Sequence, residues 1–61
     1  MTIEKLTKRL ERLGWKFVKG EKHIRGEGPS GRIIWIPRME GNIPVGKLAM
    51  IEKETGVKFI S

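Results

Sequence analysis

His23 is the one side chain here that suits proton transfer at neutral pH, because the sequence has a single histidine and no cysteine. Histidine titrates near neutral pH and can accept or donate a proton there. RNA carries its own nucleophile, the ribose 2′-hydroxyl, so its cleavage needs proton transfer and stabilisation of extra charge on the phosphate, which nearby arginine and lysine can supply. A histidine in a basic segment is therefore compatible with metal-free RNA cleavage. The ordinary alternative for a lone histidine is a surface or packing role.

The sequence lacks the residues that other catalytic chemistries require. All seven acidic residues are glutamates, so one histidine and scattered glutamates are the possible metal ligands. A zinc site needs three or four suitably spaced ligands, and a two-metal nuclease needs clustered carboxylates. A Ser/His/Asp triad lacks its aspartate, although a glutamate can substitute. The glycines at 26, 28 and 31 match no phosphate-binding loop. We therefore expect neither a metal ion nor a cofactor.

The charge is distributed unevenly along the chain. Net charge is +6, and residues 1–38 hold ten basic and four acidic side chains, which accounts for the whole excess. A one-sided basic surface is typical of a polyanion binder. Six cations near the predicted strands are the proposed RNA phosphate contacts, with solvated surface charge as the alternative for each: Lys16, Lys19, Lys22, Arg25, Arg32 and Arg38.

Length and composition limit the architecture. With 61 residues we expect one domain over 1–61, and without cysteines its core must be held by packing. Charges interrupt the first fourteen residues at every turn, which argues against a signal peptide or a membrane span. The expected location is cytoplasmic, with no membrane partner.

Two helices flank three strands in the predicted order. Ile3, Leu6, Leu10 and Leu13 form one apolar stripe of a first helix, with Thr2 as N-cap and Gly14 past its end. A second helix starts with Pro44 at its first position, uses Leu48 and Ile51 with Val45 and Thr55 beside them, and stops at Gly56. The apolar tail, residues 57–61, is expected to dock on the domain or on a partner.

Strand patterns occupy the middle of the chain. They cover 15–19, 22–25 and 32–36, with Gly20 as a turn, 26–31 as a turn-rich connection and Pro37 ending the third strand. Short connections favour a three-stranded antiparallel sheet with both helices on one face, an α+β fold of order α-β-β-β-α.

Strand parity then separates the two faces of the sheet. Successive side chains point to opposite faces, so His23 and Arg25 lie on the open face if Ile24 is core. Ile34 and Ile36 share one face, and Ile33 and Trp35 the other, so one of these pairs must be partly exposed. An exposed Trp35 can stack on a base or anchor a protein, and we favour the protein interface, formed with Ile33.

Four segments resemble the HicA family of messenger-RNA-cleaving toxins. LGWKFV at 13–18 is similar to the family's helix end and first strand, and GEKH at 20–23 to its Gly-Ser-x-His stretch. IWIPR at 34–38 resembles its hydrophobic strand, and IPVGKL at 43–48, with Ile51 and Gly56, its last helix. The resemblance spans nearly the whole chain in the same order.

The resemblance implies a fold similar to a double-stranded-RNA-binding domain, cleavage of mRNA with His23 as the catalytic residue, and a HicB-like antitoxin as partner. Three positions depart from the family pattern: Glu21 replaces its serine, Met39 a frequent second histidine, and Lys47 its threonine. The departures at Glu21 and Met39 favour an alternative, a non-catalytic RNA-binding module of the same fold. A third reading is a protein-binding adaptor, and a homodimer is a further possible assembly.

Overall fold

Along the chain, two helices flank three consecutive strands in a computed structural model, which describes residues 1–59. The elements are α1 (Ile3–Glu11), β1 (Lys16–Lys19), β2 (His23–Glu27), β3 (Ile33–Pro37) and α2 (Val45–Thr55). The strands form one antiparallel sheet in the order β1-β2-β3. The predicted α+β fold and its element order are confirmed.

The first helix begins as predicted and ends earlier. The Thr2 hydroxyl accepts the backbone N–H of Lys5 at 3.2 Å, which caps α1. Glu4 and Lys8 form an exposed ion pair at 3.3 Å. Because α1 ends at Glu11, Leu13 lies in the following turn and is 52% exposed, so its prediction as part of the apolar stripe is wrong. Gly14 has a φ of +97°, and the turn brings Trp15 into the core instead.

The connection between the second and third strands is shorter than the glycine pattern predicts. Gly26 and Glu27 belong to β2, and the turn is closed by hydrogen bonds from the Gly28 N–H to the Arg32 carbonyl (2.7 Å) and from the Gly31 N–H to the Gly28 carbonyl (3.0 Å). A Cβ on Gly26 would lie 2.6 Å from the Phe17 ring. This glycine therefore serves packing within a strand rather than a turn.

A single core lies between the sheet and the two helices. Ile24, Ile34 and Ile36 project from the sheet, while the helices contribute three leucines and one isoleucine to the same cluster: Leu6, Leu10, Leu48 and Ile51. Trp15 and Ile43 complete the buried set. Both helices thus cover the same face of the sheet, as predicted, and the other face stays open. Neither described helix is long and apolar enough to cross a membrane.

The second helix differs from its prediction at its start. Pro44 is the N-cap, with ψ of 147°, and not the first helical residue; its carbonyl accepts the Leu48 N–H at 3.0 Å. Val45 is exposed, so it does not extend the buried face formed by Leu48 and Ile51. Gly56 ends the helix in the left-handed region, at a φ of +75°, as predicted.

The tail after α2 folds back on the domain over the part that the structure describes. Val57 and Phe59 pack against the core, and the Phe59 N–H donates to the Glu52 carboxylate. The Arg9 guanidinium of α1 lies 5.7 Å from the centre of the Phe59 ring, within the range of a cation–π contact. The expectation that the tail docks on the domain holds for these residues, and residues 60–61 lie outside the described part.

Gly26→Ala is expected to lower the free energy of unfolding by about 1–3 kcal/mol, because a new methyl group would overpack the site. Its Cβ would meet the Phe17 ring at 2.6 Å and Ile34 Cγ1 at 3.0 Å. Gly46→Ala is the matched control: it lies in α2 with nothing within 4 Å of an added Cβ, so alanine should stabilise the helix. Urea unfolding of both variants measures the difference, and equal effects would contradict this packing.

Candidate nucleic-acid interface

His23 lies on the open face of the sheet, as strand parity predicts. It is the first residue of β2, where exposure alternates: His23, Arg25 and Glu27 are exposed, and Ile24 and Gly26 are buried. Ile24 is only 3% exposed, which fixes the opposite side as the core. The imidazole therefore faces away from the helices, beside Arg25 two positions along the strand, about 7 Å away along the backbone.

The strand register places an apolar side chain beside Arg25 on each neighbouring strand. Arg25 pairs with Val18 of β1 and with Trp35 of β3, and His23 pairs with Pro37. Residues that pair directly share a face, so Trp35 lies opposite Arg25 and diagonal to His23. The indole ring of Trp35 is large enough to reach His23 across this diagonal. Trp35 is 62% exposed and Ile33 is 43% exposed. The open face thus combines an acid–base group, a cation and an exposed aromatic ring.

Glu27 reduces the local excess of positive charge near the far end of the same strand. Its carboxylate lies 3.5 Å from the Arg25 guanidinium, and both side chains are about half exposed. An exposed pair at this distance contributes little to stability. Loss of this pair should therefore change the stability of the strand little.

The turn before His23 is held by a hydrogen bond within the turn and by hydrogen bonds from Arg38. The Gly20 N–H donates to the His23 carbonyl at 2.8 Å, and a Cβ on Gly20 would lie 2.9 Å from that carbonyl oxygen. The Arg38 guanidinium donates to the Gly20 carbonyl at 2.9 Å, and the Arg38 N–H to the Lys22 carbonyl at 3.0 Å. Arg38 therefore ties the end of β3 to this turn. The sequence proposed Arg38 as a phosphate contact and gave no signal of this positioning role.

The six proposed phosphate contacts divide between the two sides of the sheet. Lys16 and Arg25 lie on the open face, and Lys22 is exposed in the turn beside His23. Lys19 pairs with Ile24, so its side chain leaves the strand on the helix side. The Arg32 guanidinium donates to the Glu54 carbonyl at 2.7 Å in the last turn of α2, a favourable place for a cation. The structure does not bring all six cations to one surface.

A cleft of about 990 Å³ opens on the helix side. Lys19 and Arg38 line it together with Lys8 and three carboxylates, those of Glu4, Glu11 and Glu40. His23 is absent from its lining, and the mixed charges give no preference for an anion. The features that suit RNA therefore lie on the open face, which is a flat surface rather than this cleft.

Within residues 1–59, no group of three or more potential metal ligands comes together. The open face also includes Val18, which is exposed and lies across Arg25 from Trp35. Val18 is not among the site residues predicted from the sequence, although the alternation of residues 15–19 places it on the same face as Lys16.

Comparison of the chain with protein-family models, curated proteins and solved structures gives no match in any of the three. The likeness to HicA toxins accordingly rests on the four short segments and on their order along the chain.

Proposed function

We propose that this protein is a metal-independent endoribonuclease that acts from the open face of its sheet. The observation that carries the proposal is the juxtaposition of His23, Arg25 and Trp35 on one exposed surface, fixed by the register between β2 and β3. An exposed face suits a polymeric substrate, since a strand of RNA can lie across it without entering a cavity. The excess of basic residues in 1–38 favours approach of the polyanion.

The proposed reaction is an attack of the ribose 2′-oxygen on the adjacent phosphorus. A new O–P bond forms, the bond from phosphorus to the 5′-oxygen breaks, and the products end in a 2′,3′-cyclic phosphate and a 5′-hydroxyl. His23 accepts the 2′-hydroxyl proton, and the leaving 5′-oxygen takes up a proton from the imidazolium or from solvent. Arg25 donates to the phosphate oxygens as their negative charge increases, and Lys16 and Lys22 contribute at longer range.

The biological setting that we propose follows the HicA resemblance. The chain would be the toxin of a type II toxin–antitoxin pair, act on mRNA in the cytoplasm and be silenced by a HicB-like antitoxin. The exposed Ile33 and Trp35 on the same face as His23 suit such a contact, because large apolar side chains beside a functional group mark an interaction surface.

One observation favours a second candidate, a non-catalytic RNA-binding module. Within the part of the chain that the structure describes, the His23 imidazole forms no hydrogen bond or ion pair that would orient it. A catalytic histidine is usually held by a neighbouring acceptor. Under this alternative the open face binds RNA and leaves it intact.

The direct test is incubation of the purified protein with end-labelled RNA in EDTA, alongside the same RNA carrying a single 2′-deoxynucleotide at the main cleavage site. We expect cleavage in EDTA, cyclic-phosphate ends, and no cut at the substituted position, because the nucleophile is missing there. Loss of cleavage in EDTA, or cutting at the deoxynucleotide, would show that the mechanism is wrong. A salt-sensitive gel shift of intact RNA would support the binding module.

A further inference from the structure

Within residues 1–59 the outer edge of β3 has no partner strand, and hydrogen-bond alternation shows which backbone groups it presents. In an antiparallel pair, directly opposed residues alternate between hydrogen-bonded and non-hydrogen-bonded pairs. The Gly28 N–H donates to Arg32 and the Arg38 N–H donates to Lys22, so the backbone at positions 32, 34, 36 and 38 turns toward β2. The N–H and C=O groups of Ile33 and Trp35, and the C=O of Pro37, therefore point outward.

The two edges of the sheet differ in how they resist pairing with another strand. Exposed edges are commonly protected by charged side chains, above all lysine. β1 has lysine at both ends, whereas β3 is Ile-Ile-Trp-Ile-Pro and carries no charge. Within residues 1–59, β3 pairs only with β2, and the tail packs toward Arg9 of α1 through Phe59. Within residues 1–59 the edge of β3 is therefore unpaired, and its protection is limited to Pro37 in the strand and to Arg32 and Arg38 beside its two ends.

We propose that β3 pairs antiparallel with β3 of a second copy about a twofold axis at Trp35. In this register Trp35 opposes its own copy, and Ile33 opposes Pro37 of the other copy. Each Trp35 N–H finds the opposing Trp35 carbonyl, and each Ile33 N–H finds a Pro37 carbonyl. Every outward N–H obtains an acceptor. Pro37 has no N–H to return, so the Ile33 carbonyl opposite it is the outward group that this pairing leaves to solvent. Because these groups match one another about a twofold axis, we assign a second copy of this chain as the partner of β3.

Side-chain packing favours the same arrangement. The exposed Trp35 rings would meet across the axis on the open face and bury apolar surface there, whereas Ile34 and Ile36 are already buried within each copy. The same register sets Arg32 opposite Arg38 of the other copy at both ends, which opposes association. Each guanidinium is held by its own chain, Arg32 on the Glu54 carbonyl and Arg38 on the Gly20 carbonyl. The six strands would form one open face with the two His23 residues about 20 Å apart.

The test is sedimentation equilibrium of the protein without RNA, over a hundredfold range of concentration up to the millimolar level. We expect a dimer that Trp35→Lys converts to a monomer, since the substitution opposes two like charges at the axis. Val18→Lys is the matched control: it places the same charge on the same face of β1, away from the axis, and should leave the dimer intact. Circular dichroism of both variants confirms that they fold.

Two further measurements distinguish this interface from other modes of association and from RNA binding. The Ile33 and Trp35 amides should exchange with solvent at least about tenfold more slowly in concentrated than in dilute samples, because they become hydrogen-bonded. Added salt should strengthen the dimer, since each copy carries a net charge of +6, while it weakens RNA binding. A monomeric protein at every concentration, unprotected amides, or equal effects of the two lysine substitutions would overturn the proposal.

Discussion

His23→Ala is expected to slow RNA cleavage by roughly 10²–10⁴-fold while leaving RNA affinity nearly unchanged. The side chain is exposed at the start of β2 and contributes nothing to the core, so its loss should remove proton transfer without unfolding the domain. Affinity should persist because the phosphate contacts come from lysine and arginine. Single-turnover cleavage in EDTA gives the rate, and a salt-dependent gel shift gives the affinity.

Two control variants make this experiment specific. His23→Gln retains hydrogen bonding without titration near neutral pH, so it should be as inactive as alanine if proton transfer is the role of the residue. Ser30→Ala, on the exposed connection between β2 and β3, should cleave at the wild-type rate. If His23→Ala cleaves RNA as fast as the wild type, another group or a contaminant performs the chemistry and His23 is not catalytic.

Ile34→Ala is expected to cost about 2–5 kcal/mol of unfolding free energy, whereas Trp35→Ala should cost less than about 1 kcal/mol. Tryptophan is the larger side chain, yet Trp35 is 62% exposed and Ile34 only 1%. Removing Ile34 leaves a cavity between the sheet and α2, while removing Trp35 exposes only cross-strand neighbours. Domains typically have ~0.05–0.15 kcal/mol of stability per residue, so a chain this short has little reserve against the first change.

Chemical unfolding of both variants, at protein concentrations low enough to keep the chain monomeric, measures this difference. Trp15→Ala provides a comparison with a second tryptophan, which is buried beside Gly28. This substitution should lower the free energy of unfolding at least as much as Ile34→Ala does. A larger loss for Trp35→Ala than for Ile34→Ala would mean that the faces of β3 are reversed, and it would remove the open face on which the proposed function depends.

The sequence determined the element order and which side chains of each strand share a face. Local patterns are sufficient for both: Leu6 and Leu10 recur at helical spacing, Thr2 can cap, and strict alternation separates His23 from Ile24 and Trp35 from Ile34. In β3 both sets, Ile33 with Trp35 and Ile34 with Ile36, are apolar, so only the packing of the helices decides which set is exposed. In β2 the apolar Ile24 lies on the opposite side from His23. For this reason the position of His23 on the open face could be predicted, although its role in catalysis remains a proposal.

The tertiary structure decided the points that depend on contacts between distant residues. The sequence predicts Gly26 as a turn residue, whereas in the structure it lies in a strand against the Phe17 ring. The sequence predicts Arg38 as a phosphate contact, whereas its guanidinium donates to the Gly20 carbonyl. Lys19 and Arg32 are equally basic in the sequence, but register and the end of α2 direct them to the helix side. Residue type and spacing determine what a side chain can do, whereas cross-strand register and long-range hydrogen bonds decide where it does so.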